Sequence, residues 1–352
     1  MMISASKGFI NQSEKYSTDN AGTSKSKYIH LKKGELAYNH GNSKVKKYGA
    51  VFMLGQDNAL VPFVYHCFSI NKNQNSKYWS YYLNTIRHDR YLRKIVCSTA
   101  RLDGLLNISS EDYFKMPVNY PELDEQNKIT RFLDLLYRKI ELIEAKINTL
   151  KKYKKGLLQK YIKLANQSTK IFKISSVCDL ISGYNFTPND YCEDGIYEVI
   201  TIGNVLDERY VEGPFKKVNI MPSESILLRE DDLLISMTGN VGRTSFAKSK
   251  KQLLNQRVCK LNFYDQNNKD LVYFITKSDK FKRRMTILAQ GGAQPNLKNK
   301  DILNFKCNVL ANEQNNIFIK CYKLIDKETI LLKEKYKKLH ELKMQLMKDL
   351  FI

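Results

Sequence analysis

From Glu125 to Ile162 the chain reads EQNKITRFLDLLYRKIELIEAKINTLKKYKKGLLQKYI, and no other stretch constrains the fold as much. Its apolar residues Ile129, Leu133, Leu136, Ile140, Ile143, Ile147, Leu150 and Leu157 recur at steps of three and four, and no Gly or Pro intervenes before Gly156. That spacing keeps one face of a helix apolar. At ~1.5 Å per residue, a helix of this length rises about 57 Å. A compact globule does not need such a helix, so it is a strut or one half of a coiled coil.

A second helix of the same kind runs from Glu313 to Ile352, with Ile325, Leu332, Leu339 and Leu346 at intervals of seven and Leu342 between the last two. Neither helix can bury its stripe alone, and each is the nearest available partner for the other. The expected packing set is Leu136, Ile140, Ile143, Ile147 and Leu150 on the first helix against the four heptad residues of the second. Glu328 and Lys335 read as interruptions of that seam that either fix its register or fray the pair.

Upstream of each helix the same landmarks recur in the same order. Glu125-Gln126-Asn127 and Glu313-Gln314-Asn315 open the helices 188 residues apart. LNISSEDYFKMPV from Leu106 answers LKNKDILNFKCNV from Leu297, and SYYLNTIRHDRYLRKI from Ser80 answers LVYFITKSDKFKRRMTI from Leu271. YIHLKKGELAYNHGN from Tyr28 and ILLREDDLLISMTGN from Ile226 both read as strand, acidic or glycine turn, strand and Gly-Asn turn. The plan is globule, long helix, globule, long helix, bounded at residues 1–122, 123–166, 167–311 and 312–352. The fold class expected is α+β: two similar mixed globules separated by two long helices packed as an antiparallel coiled coil. The globules begin unequally, with 27 residues before Tyr28 but about 55 between Thr169 and Ile226. The first is therefore expected to lack an opening strand, through truncation or because another polypeptide completes it.

Charge narrows the partners. Fifty-eight Lys and Arg against 36 Asp and Glu leave a formal charge of +22, which favours a polyanion. An AT-rich genome would also enrich exposed Lys, so the excess counts only together with the organisation. The seven cysteines, without a CxxC pair, argue against a disulfide framework or a zinc site, and the five histidines form no metal-spaced cluster. No membrane span or leader is legible, and a reducing cytoplasm is the expected location.

In LLREDDLLISMTGNVGRTSF (Leu227 to Phe246), GGAQPNLKNKDILNFKCNVL (Gly291 to Leu310) and the helix opened by Glu125, the chain resembles the specificity subunits of type I restriction-modification systems. The resemblance covers essentially the whole chain. It implies two target-recognition domains on an antiparallel helical spacer, no catalysis and no cofactor. The implied partners are double-stranded DNA, methylation subunits, expected to be two, and restriction subunits where present. Methyl transfer from S-adenosylmethionine and ATP-driven cleavage would belong to those other subunits. Asp231 stands where the family usually has Gly, and Ala311-Asn312 stand in place of a closing Pro. The shortened first domain keeps an alternative open: a truncated or phase-variant fragment that docks on the methylation subunit and reads one half-site.

A spacer of about 57 Å corresponds to ~17 base pairs, so two unlike readers imply a split, asymmetric target. Lys and Arg would hold phosphates, while Arg, Asn, Gln, Ser and Thr on loops read base edges. Candidates in the second globule are Tyr184, Asn185, Asn240, Arg243, Thr244, Lys282, Arg283, Arg284, Gln290, Gln294 and Asn296, and in the first Arg87, Arg90, Arg93 and Arg101. Asn240 beside Gly239 reads first as a hairpin turn and second as a base contact. The basic runs on the two short helices, and Lys151 to Lys155 on the long one, are either solvated faces or phosphate contacts. Tyr78, Trp79, Tyr81 and Tyr82 read as core. No Gly-Lys-Ser/Thr phosphate loop occurs, and Asp231-Asp232 lacks the partners of a two-metal nuclease.

Overall fold

The computed structural model describes residues 1–4, 8–11, 28–41, 46–96, 106, 108–290 and 295–351. The chain divides into two compact units, Met1–Ala145 with Glu334–Ile352, and Lys146–Lys333. The two long helices contribute residues to both.

In the first unit, β1 (Met2–Ser4) and β2 (Gly8–Ile10) form an antiparallel hairpin. Beyond it, β3 (Tyr28–Lys32) pairs with a later strand, β6, and β4 (Leu36–Asn39) is flanked by β5 (Ala50–Met53) and β7 (His66–Phe68), with β6 spanning Asn58–Pro62. Three helices follow: α1 (Ser76–Tyr82), α2 (Ile86–Ile95) and α3 (Ser110–Phe114). The Asn75 side chain starts α1 by accepting the N–H groups of Lys77 and Tyr78. Tyr78, Trp79, Tyr81 and Tyr82 are buried, and Phe351, at the far end of the chain, packs 5.5 Å from the Tyr78 ring. His40, His66 and His88, far apart in sequence, converge on Tyr38. They are core groups: both His40 ring nitrogens face backbone carbonyls, and burial pushes His88 down to about 3, neutral at pH 7.

The first long helix, α4, spans Leu123–Ala165. In the second unit, β8 (Ile171–Lys173) pairs with β17 (Lys306–Asn308), and two four-stranded sheets stack. One is ordered β14-β13-β16-β9, from β9 (Cys178–Ser182), β13 (Leu233–Ser236), β14 (Thr244–Phe246) and β16 (Val258–Phe263). The other is ordered β10-β12-β11-β15, from β10 (Tyr191–Cys192), β11 (Tyr197–Ile200), β12 (Lys216–Val218) and β15 (Gln252–Leu254). Strand alternation sends Leu233 and Ile235 of β13 to one core and Leu234 to the other, which is why this strand is apolar without a break. The outer core is closed by α5 (Lys269–Thr276), α6 (Asp279–Leu288), α7 (Asn299–Leu303), Tyr161 of α4 and Tyr322 of α8 (Asn312–Asp349).

The strand–turn–strand landmark is built alike in both units. Before β4, Gly34 takes a φ of 85°, and the Glu35 carboxylate accepts the Lys32 N–H at 2.7 Å. Before β13, Asp231 takes a φ of 64°, and the Asp232 carboxylate accepts the Arg229 N–H at 2.8 Å. Aspartate enters the left-handed region more readily than most residues, so the glycine expected there is dispensable. The acidic pair is thus a turn device. After the following helices, Asn84 Nδ2 donates to the Val51 carbonyl and Lys277 Nζ to the Thr244 carbonyl, at matching places on β5 and β14. The units differ at a sheet edge: β16 carries β9, whereas among the described residues β7 has no further neighbour.

The helix-opening motif is displaced by one residue from the alignment of the two Glu-Gln-Asn triplets. Gln126 is buried and donates to the Pro121 carbonyl at 2.8 Å, and Asn315 is buried and donates to the Leu310 carbonyl at 3.0 Å. Gln126 therefore matches Asn315 and not Gln314, because depth in the core fixes the position and the amide type does not. Leu310 fills the place of Pro121.

The long helices pack antiparallel: Tyr137 meets Lys343, Lys146 meets Glu328, Lys154 meets Asp326 and Tyr161 meets Asn315. On α4, Leu136, Ile140, Ile143 and Ile147 are buried and Leu150 half-buried; on α8, Leu332 is buried and Ile325, Leu339 and Leu346 half-buried. Leu342, which is not in the packing set, is 45% exposed. One expectation is corrected: Glu328 and Lys335 do not interrupt the seam, since Glu328 pairs with Lys146 at 2.7 Å and Lys335 is exposed. The second column of α8 is polar and aromatic, through Asn315, Tyr322 and Thr329, all buried. Beside it Asp326, 3% exposed, pairs with Lys154 and lies 3.8 Å from Arg209.

Asp326→Ala leaves two largely buried cations without their carboxylate. Urea denaturation of the variant is expected to show a loss of ~3–5 kcal/mol.

Candidate nucleic-acid interface

One end of the second unit is assembled from four segments distant in sequence. Tyr184 N–H donates to the Leu254 carbonyl at 2.9 Å and Gln256 N–H to the Tyr184 carbonyl at 2.8 Å. Met237 N–H donates to the Arg257 carbonyl at 2.9 Å, and Gly239 N–H to the Pro295 carbonyl at 3.0 Å. Thr238 Oγ1 donates to Asn296 Oδ1 at 3.1 Å. Gly183 permits the first of these approaches, because a Cβ there would lie 2.3 Å from the Leu254 and Asn255 carbonyl oxygens. The loop between β13 and β14 runs from Met237 to Arg243 and is longer than the tight hairpin expected, with Gly239 and Gly242 both at positive φ.

Beside this edge opens a cleft of about 890 Å³, walled by Phe186, Tyr191, Ile202 and Phe215, with Lys216, Lys217, Asn255, Gln256 and Arg257 at its polar side. The exposed Gln256 amide and Arg257 guanidinium over an apolar wall suit the edges and faces of bases. Among the described residues, no group of three His, Cys, Asp or Glu side chains could hold a metal.

The candidates from sequence fall in several places. Tyr184, Asn185, Asn240 and Asn296 are exposed on this edge, and Arg243 is half-buried beside it. Thr244 is fully buried, its hydroxyl paired with Thr276 at 2.9 Å, and presents nothing to a ligand. Lys282 is tied to Asp207. Arg283, Arg284 and Gln290 are exposed on or just after α6, and Arg283 and Arg284 line a different groove. In the first unit Arg90 and Arg93 are exposed on α2 and Arg87 is half-buried. Gln294 and Arg101 lie outside the described residues. Of Lys151 to Lys155, Lys154 is committed to Asp326 while Lys151, Lys152 and Lys155 are exposed. Gln256 and Arg257 were not singled out from sequence; the signal was a polar Asn-Gln-Arg insertion between the apolar runs of β15 and β16.

The cleft wall is held from below. Between Thr201-Ile202 and Phe215–Lys217 the chain leaves the cleft and returns to it, and its lowest residues are pinned by charge. Asp207, at a φ of 67°, binds Lys277 at 2.7 Å and also Lys282, and Glu208 lies 3.0 Å from Lys333. Arg209 stacks 4.7 Å from the Phe246 ring. Burial alone would raise the Asp207 carboxyl, but the two ammoniums reverse this and hold it below the ordinary 3.8. Burial pulls Lys277 down to about 8 against the pull of Asp207, so the pair is charged at neutral pH.

A family model described as the type I restriction modification DNA specificity domain matches residues 4–152 and again residues 166–341. The specificity subunit of the type I restriction enzyme MjaVIII from Methanocaldococcus jannaschii is 22% identical over 276 residues, covering 69% of this chain. The chain spans 64% of the length of that relative. The crystal structure of the type I restriction-modification S subunit from M. genitalium shares the fold, with a TM-score of 0.63 and 15% identity over 93% of this chain and 85% of that one.

Gly183→Ala forces β9 away from Leu254 and Asn255. Thermal melting is expected to show a loss of ~1–3 kcal/mol. The depressed Asp207 carboxyl contributes stability that is present in full above the ordinary 3.8 and is lost as pH falls through the lowered value. The stability difference between the parent and Asp207→Asn should therefore be widest near pH 7 and close below about pH 4. Denaturant titrations at both pH values measure it.

Proposed function

Because the chain belongs to the family of type I restriction modification DNA specificity domains, we propose that it is the non-catalytic subunit that selects the target of a type I restriction-modification complex. The observation that carries this reading is the cleft edge, where Tyr184, Asn240, Gln256, Arg257 and Asn296 bring base-reading chemistry from separate segments to one end of the second unit. The partners are double-stranded DNA, two methylation subunits and, where present, restriction subunits, which supply methyl transfer and cleavage in the cytoplasm. The unlike sequences of the two recognition modules favour two different half-sites, and the helix pair between them sets the length of the unread gap.

Mapping modified bases in cells with and without the chain tests the proposal. The expected result is methylation of a split, asymmetric motif that appears only when the chain is expressed. A single half-site would assign reading to one module, and a palindrome to that module used twice in a dimer, in keeping with the absence of a β9 counterpart beside β7 among the described residues. An unchanged modification pattern would refute target selection.

A further inference from the structure

The second unit holds another charged concavity that shares no lining residue with the reading cleft. It is a groove of about 1210 Å³ between the last turns of α4 and the outer face of α6, with α7 and the start of β17 along its floor. Lys280, Arg283, Arg284 and Ile287 line it from α6, and Gln159, Ile162, Lys163 and Asn166 line it from the α4 side. Both sets follow the i, i+3, i+4, i+7 spacing that places residues on one side of a helix. On the other side of α6, Phe281 and Met285 are buried in the core, so the cations of this helix are directed into the groove by the packing behind it.

Lys300 and Lys306 complete a set of six basic side chains, against only Asp279 and Asp301. Asp301 is already committed to the Lys298 N–H at 2.8 Å. Among the described residues none of the six cations enters an ion pair. This contrasts with Lys277 and Lys282 nearby, which share the Asp207 carboxylate. Like charges gathered around one concavity repel each other, and a polyanion relieves that repulsion.

We propose that this groove seats the sugar–phosphate backbone of double-stranded DNA, as a sequence-independent contact separate from base reading. The proposal rests on the DNA-recognition reading above. The charge density fits: Lys280 to Ile287 covers about 10 Å of α6, the rise over which one strand carries about three phosphates. A mixed-charge protein segment would leave several of these cations unmatched. Ile162 and Ile287 lie among the cations, where the apolar edges of sugars can rest.

The test is the salt dependence of DNA binding by the full chain with its methylation subunits, using a duplex that carries the methylated motif and a scrambled duplex of equal length. The variant combines Arg283→Gln, Arg284→Gln and Lys300→Gln, three exposed positions. Its slope of log affinity against log salt should flatten by about one unit for each phosphate no longer held, with both duplexes weakened by the same factor and the motif preference retained. Arg283→Lys with Arg284→Lys, which keeps all the charges, should retain the parental slope. A parental slope in the triple variant overturns the proposal, and so does failure to assemble with the methylation subunits at unchanged DNA affinity, which would assign the groove to protein. Loss of motif preference in the variant overturns it too. Failure of the underlying reading looks different, because then the unmodified complex itself does not distinguish the two duplexes.

Discussion

A helix of 43 residues with one apolar face is unstable as an isolated object in water, and this chain contains two helices of that kind, the second of 38 residues. Each resolves the problem of the other by antiparallel pairing, and much of the remaining structure uses that pairing as a wall. Tyr161, near the end of α4, closes the core of the second unit and donates its hydroxyl to Asn315 at 2.8 Å. In the first unit Phe351, just past α8, packs among the α1 aromatics. The recognition modules are therefore not beads attached to a rod; each borrows helix residues to finish its interior.

The pairing is more polar than its leucines suggest. Asp326 sits almost fully buried on α8 between Lys154 and Arg209, and Asp207 holds Lys277 and Lys282 a short distance along the chain from Arg209. Buried ion pairs contribute little net stability compared with hydrophobic packing, but they penalise every arrangement that separates the partners. The consecutive residues Asp207, Glu208 and Arg209 each bind a different partner, so the excursion that forms one wall of the cleft has a single seat. Apolar packing alone would leave that loop freer to slide.

The large features were legible because they depend on periodicity. Steps of three and four marked α4, and a sevenfold spacing marked one column of α8. The other column was missed because it is made of Asn315, Tyr322 and Thr329, which carry no apolar period. The repeated plan was visible in turns and strands, yet the register at the helix starts was displaced by one residue, since Gln126 and Asn315 fill the same role with different amides. The cleft was legible only in part. Tyr184, Asn240 and Asn296 could be named from local chemistry, but nothing local revealed that Gln256 and Arg257 stand beside them, because backbone hydrogen bonds between segments up to about 70 residues apart bring them together. Thr244 and Lys282 fit by residue type, but Thr244 is buried against Thr276 and Lys282 is held by Asp207.

The first unit is discontinuous: Met1–Ala145 is completed by Glu334–Ile352, after the whole of the second unit has been threaded between them. A ribosome therefore delivers the second module entire while Tyr78 and Tyr82 of the first still lack the side chain of Phe351. The N-terminal half must wait, partly uncovered, through the synthesis of nearly two hundred further residues, and vectorial folding runs in the opposite order to the one the sequence suggests.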